Sequence, residues 1–266
     1  QRAGAVIADP RVQAITLTGS ERAGKSVAGN AGAHLKKCVM ELGGSDPFVV
    51  LDDADLDKAV PVAVVSRFGN GGQTCIAAKR FILTPGIADA FVARFMAAAA
   101  ALKSGDPNDD ATSLAPMVRP DAREELQRQV DASIAAGAKL LIGGRKGEGP
   151  CEYPATILDA VKPGMAAYSE ELFGPVASII RADSMEDAIH IANDTAFGLG
   201  ASVWTGDKAQ GEAVARRIQA GAVFVNALVR SDVRLPFGGT KTSGFGRELA
   251  EHGIHEFMNI KTVYVD

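Results

Sequence analysis

Val12-Gln-Ala-Ile-Thr-Leu-Thr18 reads as a short buried strand, and it ends in Gly19-Ser20 before a helical pattern running from Glu21 to about Ala33. Strand, glycine turn and helix in that order form one βα unit, and free N–H groups at such a helix start suit a phosphate. The same turn also serves as a plain helix cap, so the motif alone leaves both readings open. Outward from it, Cys38–Leu42 and Phe48–Leu51 read as further strands, the first closed by Gly43-Gly44. A helix is expected from Leu56 to about Phe68, with the acidic stretch Asp52–Asp57 at its start complementing the helix dipole. Arg80–Leu83 reads as a strand, and Ala88–Leu102 as a helix with Phe91, Phe95 and Leu102 inward. Leu126, Val130 and Ile134 recur every four residues in a helix that Gly137 ends, followed by a strand at Leu140–Ile142 and an exposed loop at Gly143–Pro150. From Tyr153 strand and helix alternate again. Ser184-Met-Glu-Asp187 resembles a capping box, Asp207 caps a helix expected to reach Gln219, and Ala222–Asn226 is an apolar strand. Repeated strand–helix alternation predicts an α/β fold with a mostly parallel sheet. Neither an internal repeat nor a long linker interrupts it.

The 266 residues carry 47% hydrophobic residues, ample for a sizeable core. A formal charge of −4 with scattered Lys and Arg argues against a nucleic-acid surface. No apolar run approaches the ~18 residues of a membrane span. Cys38, Cys75 and Cys151 are odd in number and form no C-x-x-C pair, which fits a reducing, cytoplasmic setting. His34, His190, His252 and His255 show no metal-ligand spacing with them, so no metal site is expected. Because the sequence opens on Gln1 rather than Met, a processed or partial chain is expected.

Chemistry concentrates at Asn70-Gly-Gly-Gln-Thr-Cys75. Glycines before the cysteine allow close backbone approach, and free N–H dipoles near it are expected to favour thiolate and to hold an oxyanion. A buried, inert Cys75 is the alternative. Glu41, at the end of a buried strand before Gly43-Gly44, is either a solvated strand-end carboxylate or a general base whose pKa burial raises. Glu170-Glu171-Leu-Phe173-Gly-Pro175 is either an acidic turn or a site that bonds a sugar and stacks a planar ring.

Taken together, five motifs occur in one order: Leu-Thr-Gly-Ser (Leu17–Ser20), Glu-Leu-Gly-Gly (Glu41–Gly44), Gly-Gln-Thr-Cys (Gly72–Cys75), Glu-Glu-Leu-Phe-Gly-Pro (Glu170–Pro175) and Pro-Phe-Gly-Gly (Pro236–Gly239). The chain resembles the aldehyde dehydrogenase superfamily over its whole length. The phrases Ser45–Leu51, Ala77–Phe81 and Gly246–Leu249 resemble the succinate-semialdehyde dehydrogenase branch most. The resemblance implies NAD- or NADP-dependent oxidation of an aldehyde, with Cys75 as nucleophile through a thiohemiacetal and a thioester, and Glu41 as the base for hydrolysis. It implies cofactor contacts from Gly19, Ser20, Gly24 and Leu42, and from Glu171 and Phe173 to the nicotinamide ribose and ring. A retained Glu41 argues against transfer of the acyl group to coenzyme A. The resemblance also implies three parts: residues 1–42 as the tail of a Rossmann-like cofactor domain, 43–240 as the catalytic domain, and 241–266 as a return segment with an oligomerisation strand at Asn259–Val265. A homodimer or homotetramer would follow. The family's large N-terminal portion precedes what corresponds to this chain, so the 266 residues alone are expected to be inactive.

Two departures bear on substrate. Several succinate-semialdehyde enzymes carry an arginine six positions before the nucleophile, where this chain has Gly69; Arg67, Arg230 or Ser231 are the candidates to replace it. Some relatives carry a second cysteine two residues after the nucleophile; Ala77 stands there, excluding a redox switch of that kind. Oxidation of another aliphatic aldehyde, a non-catalytic structural relative, and a Cys75–Glu41 thioesterase are the competing readings.

Overall fold

A computed structural model describes residues 2–266. In chain order the elements are α1 (Arg2–Ala8), β1 (Ala14–Thr18), α2 (Glu21–Ala33), β2 (Lys37–Glu41), β3 (Asp46–Val50), α3 (Leu56–Phe68), β4 (Ala78–Leu83) and α4 (Ala88–Ala100). There follow α5 (Pro120–Ala135), β5 (Lys139–Ile142), β6 (Thr156–Asp159), α6 (Ala166–Ser169), β7 (Val176–Arg181), α7 (Met185–Asn193) and β8 (Gly200–Trp204). The chain closes with α8 (Lys208–Ala215), β9 (Ala222–Val225), β10 (Gly244–Phe245) and α9 (Ala250–Glu256). The strands form two sheets, β1-β2-β10 and β5-β6-β7-β4-β3-β8-β9. In the larger sheet every neighbouring pair is parallel except β5 with β6. The α/β fold with a mostly parallel sheet is therefore as expected.

Helices cover both faces of the large sheet, so its central strands are apolar on both sides. The two-residue side-chain period divides them: Phe48, Val50, Phe81 and Leu83 face α3 and α4, whereas Val49, Leu51 and Ile82 face α5, α7 and α8. The first face is aromatic, with Phe81 and Phe95 centroids 4.8 Å apart and Phe48 stacked on Trp204 at 5.4 Å. Ser184 caps α7 by accepting from the Asp187 N–H, and Asp207 caps α8 through the Ala209 and Gln210 N–H groups.

Three expectations change. The helix begun at Asp207 stops at Ala215. Beyond it the Asn193 side chain, at the end of α7, donates to the Arg217 carbonyl and accepts from the Gln219 N–H, which draws the chain into a turn. Asn259–Val265 forms no strand among the described residues, and Ile260, Val263 and Val265 stand exposed. Leu102 lies just past α4 and is only partly buried. The small sheet is completed from the far end of the chain: Gly244 pairs antiparallel with Glu41, and the Leu42 N–H donates to the Ser243 carbonyl. No described helix is long and apolar enough to cross a membrane.

Candidate active site

A cleft of ≈ 760 Å³ opens between the two sheets. It is lined by Thr18–Ser20 after β1, Glu41–Gly43 after β2, Asn70 and Gln73–Cys75 after α3, the N-terminal part of α5, and Glu171 with Phe173. Cys75, Glu41, Gly19, Ser20, Leu42, Glu171 and Phe173 are thus gathered into one cavity.

The thiol loop follows from its glycines. After α3 a short turn spans Gly69–Gly72, in which Asn70, Gly71 and Gly72 all have left-handed backbone, with φ of 53°, 61° and 70°. Glycine adopts that conformation without steric cost. A Cβ on Gly72 would also run into the Gly174 carbonyl, and one on Gly44 would lie 2.7 Å from the Cys75 carbonyl oxygen. The Gln73 amide ties the loop down, accepting from the Val118 N–H at 2.8 Å and donating to the Asn70 carbonyl at 3.2 Å. Cys75 is half-buried. Its pKa is raised, not lowered: burial pushes it up, Asp46 and Glu171 add to this, and Lys79 and the Ile76 N–H oppose it. The expected preference for thiolate is therefore corrected, because loss of solvent outweighs the local dipoles in the cleft as it stands.

Glu41 is buried, and neither carboxylate oxygen has a hydrogen-bond partner. Its pKa rises to about 7, first through burial and then through Glu248, against a smaller opposing effect of Arg247. A carboxyl with that pKa and free oxygens can accept a proton near neutral pH. Glycine again makes the room, since a Cβ on Gly238 would lie 2.8 Å from Glu41 Oε1.

The acidic pair divides its tasks. Glu170 is held by Arg128 at 2.7 Å and Gln129 at 2.9 Å, whereas Glu171 Oε1 accepts from the Gly44 N–H at 2.9 Å at the cleft wall. Phe173 lies at the cleft edge with 41% of its surface exposed, an uncommon position for a large apolar ring. Ser20 caps α2, accepting from the Ala23 N–H, and Gly19 donates to the Glu41 carbonyl.

Four expected site residues lie elsewhere. Gly24 is a packing position: a Cβ there would meet the Leu42 side chain at 2.5 Å. Arg67 is fully buried and donates to the Gly72 carbonyl at 2.6 Å, so it supports the thiol loop from below and does not line the cleft. Arg230 and Ser231 are exposed outside the cleft, Arg230 beside Asp232 and Phe237 on a second cavity of ≈ 450 Å³. A cluster that sequence reasoning missed lies under the loop. Asp46, Lys79 and Arg80 are buried, and Arg80 bonds the carbonyls of Ser45, Ile191 and Ala192. A charged pair inside an otherwise apolar strand, Ala78-Lys79-Arg80-Phe81, was the available signal.

The cleft between the two sheets thus brings together a cysteine on a glycine loop and an unbonded carboxylate, the two groups that covalent thiol chemistry requires, a nucleophile and a proton acceptor. The aldehyde dehydrogenase family profile matches residues 2–263, and the chain belongs to that family. It is 55% identical over 262 residues to the succinate semialdehyde dehydrogenase [NAD(P)+] of Escherichia coli (strain K12), and 52% identical over 261 residues to the succinate-semialdehyde dehydrogenase [NADP(+)] 1 of Mycobacterium ulcerans. Each match covers 98% of this chain and 57% of the relative, so the chain spans little more than half their length. The crystal structure of succinic semialdehyde dehydrogenase from Streptococcus pyogenes in complex with NADP+ superposes with a TM-score of 0.96 at 40% identity, covering 99% of this chain and 58% of that one.

Proposed function

We propose that this chain is the thiol-bearing part of an NAD(P)-dependent aldehyde dehydrogenase that converts succinate semialdehyde to succinate. The observation that carries the proposal is the pairing, in one cleft, of Cys75 with a buried and unbonded Glu41. The identity to succinate-semialdehyde dehydrogenases supports the substrate.

The residues fit a dinucleotide at one end of the cleft. Ser20 and Gly19 stand at the N-terminus of α2, Glu171 offers a carboxylate at the wall, and the exposed Phe173 ring lacks a stacking partner among the described aromatics. Ser20 and Gly19 would meet the pyrophosphate, Glu171 the ribose and Phe173 the nicotinamide ring. When bound, the nicotinamide supplies the hydride acceptor that makes the aldehyde carbon an acyl carbon.

The Cys75 proton passes to Glu41 and from there to solvent, and Sγ bonds the aldehyde carbon while the carbonyl electron pair moves onto oxygen. The Cys75 N–H holds the oxygen that becomes negative. Once the hydride has left, Cys75 carries a thioester. Glu41, unbonded and titrating near neutral pH, takes a proton from water as the water oxygen bonds the acyl carbon; the C–S bond breaks and Cys75 is restored. Arg230 and Ser231 stand outside this cleft and are given no part in holding the substrate; Asn259–Val265 is proposed to pair with another copy in a homodimer or homotetramer.

The test is reduction of NAD and NADP by the protein carrying this chain, across an aldehyde panel, with Cys75→Ala as control. Reduction with succinate semialdehyde that Cys75→Ala abolishes is expected. No reduction with any aldehyde favours a structural relative, ester cleavage alone favours a thioesterase, and activity surviving in Cys75→Ala refutes the nucleophile.

A further inference from the structure

Lys79 projects from β4 toward the thiol loop and is almost wholly buried, with 1% of its surface exposed. Its ammonium donates to the carbonyls of Thr74 at 3.1 Å, Cys75 at 2.9 Å and Ala77 at 3.2 Å, and Glu171 Oε1 lies 3.7 Å away. A buried ammonium is expensive unless its charge and all its donors are satisfied. Here the three carbonyls supply acceptors and Glu171 with Asp46 supplies opposing charge.

The carbonyl contacts have a directional consequence. In a planar trans peptide the C=O and N–H point opposite ways. Fixing the Thr74 carbonyl toward Lys79 turns the Cys75 N–H away from Lys79. Fixing the Cys75 carbonyl does the same for the Ile76 N–H, whose dipole lowers the Cys75 pKa against the effect of burial. One side chain thereby holds both peptide planes around the sulfur, the Thr74 carbonyl together with the Ala77 N–H at 3.0 Å.

We propose that Lys79 is the positioning residue of the nucleophile: through the Thr74 and Cys75 carbonyls it aims the Cys75 and Ile76 N–H groups at the reacting oxygen and sulfur, and its charge favours the thiolate. The proposal rests on reading Cys75 as the nucleophile. The charged groups that face Cys75 are Lys79 from β4, Asp46 from β3 and Glu171 from the loop after α6; Arg67 from α3 faces Lys79, Asp46 and Glu171. Removing the cation leaves two acidic groups, Asp46 and Glu171, beside the sulfur.

The experiment measures Cys75 alkylation by iodoacetamide against pH, by peptide mass, in the wild type, Lys79→Arg, Lys79→Met and Asp46→Asn/Lys79→Met, with circular dichroism for the fold. The double variant removes the buried carboxylate together with its cation, so it keeps the test open if Lys79→Met unfolds. The expected result is an alkylation midpoint about one pH unit higher in Lys79→Met, a roughly tenfold slower reaction at pH 7, and a smaller rise in the double variant, where loss of the Asp46 charge offsets part of it. Lys79→Arg, which keeps the charge, should hold the midpoint while kcat falls and KM stays. An unmoved midpoint in a folded methionine variant overturns the proposal. If neither methionine variant folds, Lys79→Arg decides: a retained midpoint upholds it, and one raised by a full unit overturns it. Alkylation needs no turnover, so failure of the dehydrogenase reading would appear separately, as a wild type that alkylates normally but reduces no cofactor.

Discussion

Replacing Glu41 by Gln changes one buried charge and almost no volume, which makes it a direct probe of the cleft's electrostatics. The folded-state pKa of Glu41 is raised from 4.5 to about 7, so the folded chain binds more protons than the unfolded chain between those values. Its contribution to stability is therefore fully present below about pH 4.5 and is lost as pH rises through 7. At ≈ 1.36 kcal/mol per unit, the loss amounts to roughly 3 kcal/mol. Glu41→Gln should have close to wild-type stability near pH 4.5 and exceed it by about that amount at pH 8. Other carboxyls titrate in both proteins and cancel in the difference. Urea denaturation at half-unit steps from pH 4.5 to 8.5 measures the gap. A gap that stays flat over this range would refute the assignment of a raised pKa to burial.

Other outcomes follow from the same packing. Gly72→Ala places a Cβ against the Gly174 carbonyl at a left-handed φ of 70°, and it should cost more than about 2 kcal/mol and disorder the thiol loop; thermal melting and Cys75 alkylation rates would show both effects. Phe81→Ala empties the centre of the aromatic layer and should cost about 3–5 kcal/mol in urea denaturation, with a loss below about 1 kcal/mol speaking against a packed layer. Arg230→Ala combined with Ser231→Ala, both outside the cleft, should leave KM for succinate semialdehyde within about twofold of wild type, and a roughly tenfold rise would bring the two residues to the distal carboxylate.

Much of the fold is written locally. The caps at Ser20, Asp55, Ser184 and Asp207 each precede the helix they begin. The apolar strands of the large sheet carry their own period and β-branched content. What lies between distant segments is not written this way. Strand β10 is two residues long and exists because Gly244 and Phe245 pair with β2, some two hundred residues earlier in the chain. The end of α8 depends on Asn193 from another helix.

The site divides similarly. Cys75, Glu41, Glu171 and Phe173 announce themselves through glycines and polar residues in apolar company. The direction of the Cys75 shift is set by burial around the sulfur, which cannot be counted along the chain, and it is modulated by Lys79, Asp46 and Glu171, which come from three separate segments. Arg67 is the instructive misreading. A basic residue eight positions before a nucleophile looks available to substrate, yet the helix directs it inward onto Gly72.

The most direct measurement of the central claim is a trapped acyl group. The protein carrying this chain, as Glu41→Gln, is mixed with succinate semialdehyde and NAD or NADP, quenched in acid and digested, and the Cys75 peptide is weighed. A succinyl thioester on Cys75, with one equivalent of NADH or NADPH formed per site and little further turnover, is the predicted result. Steady-state turnover equal to wild type, or an acyl group on any residue other than Cys75, would contradict it.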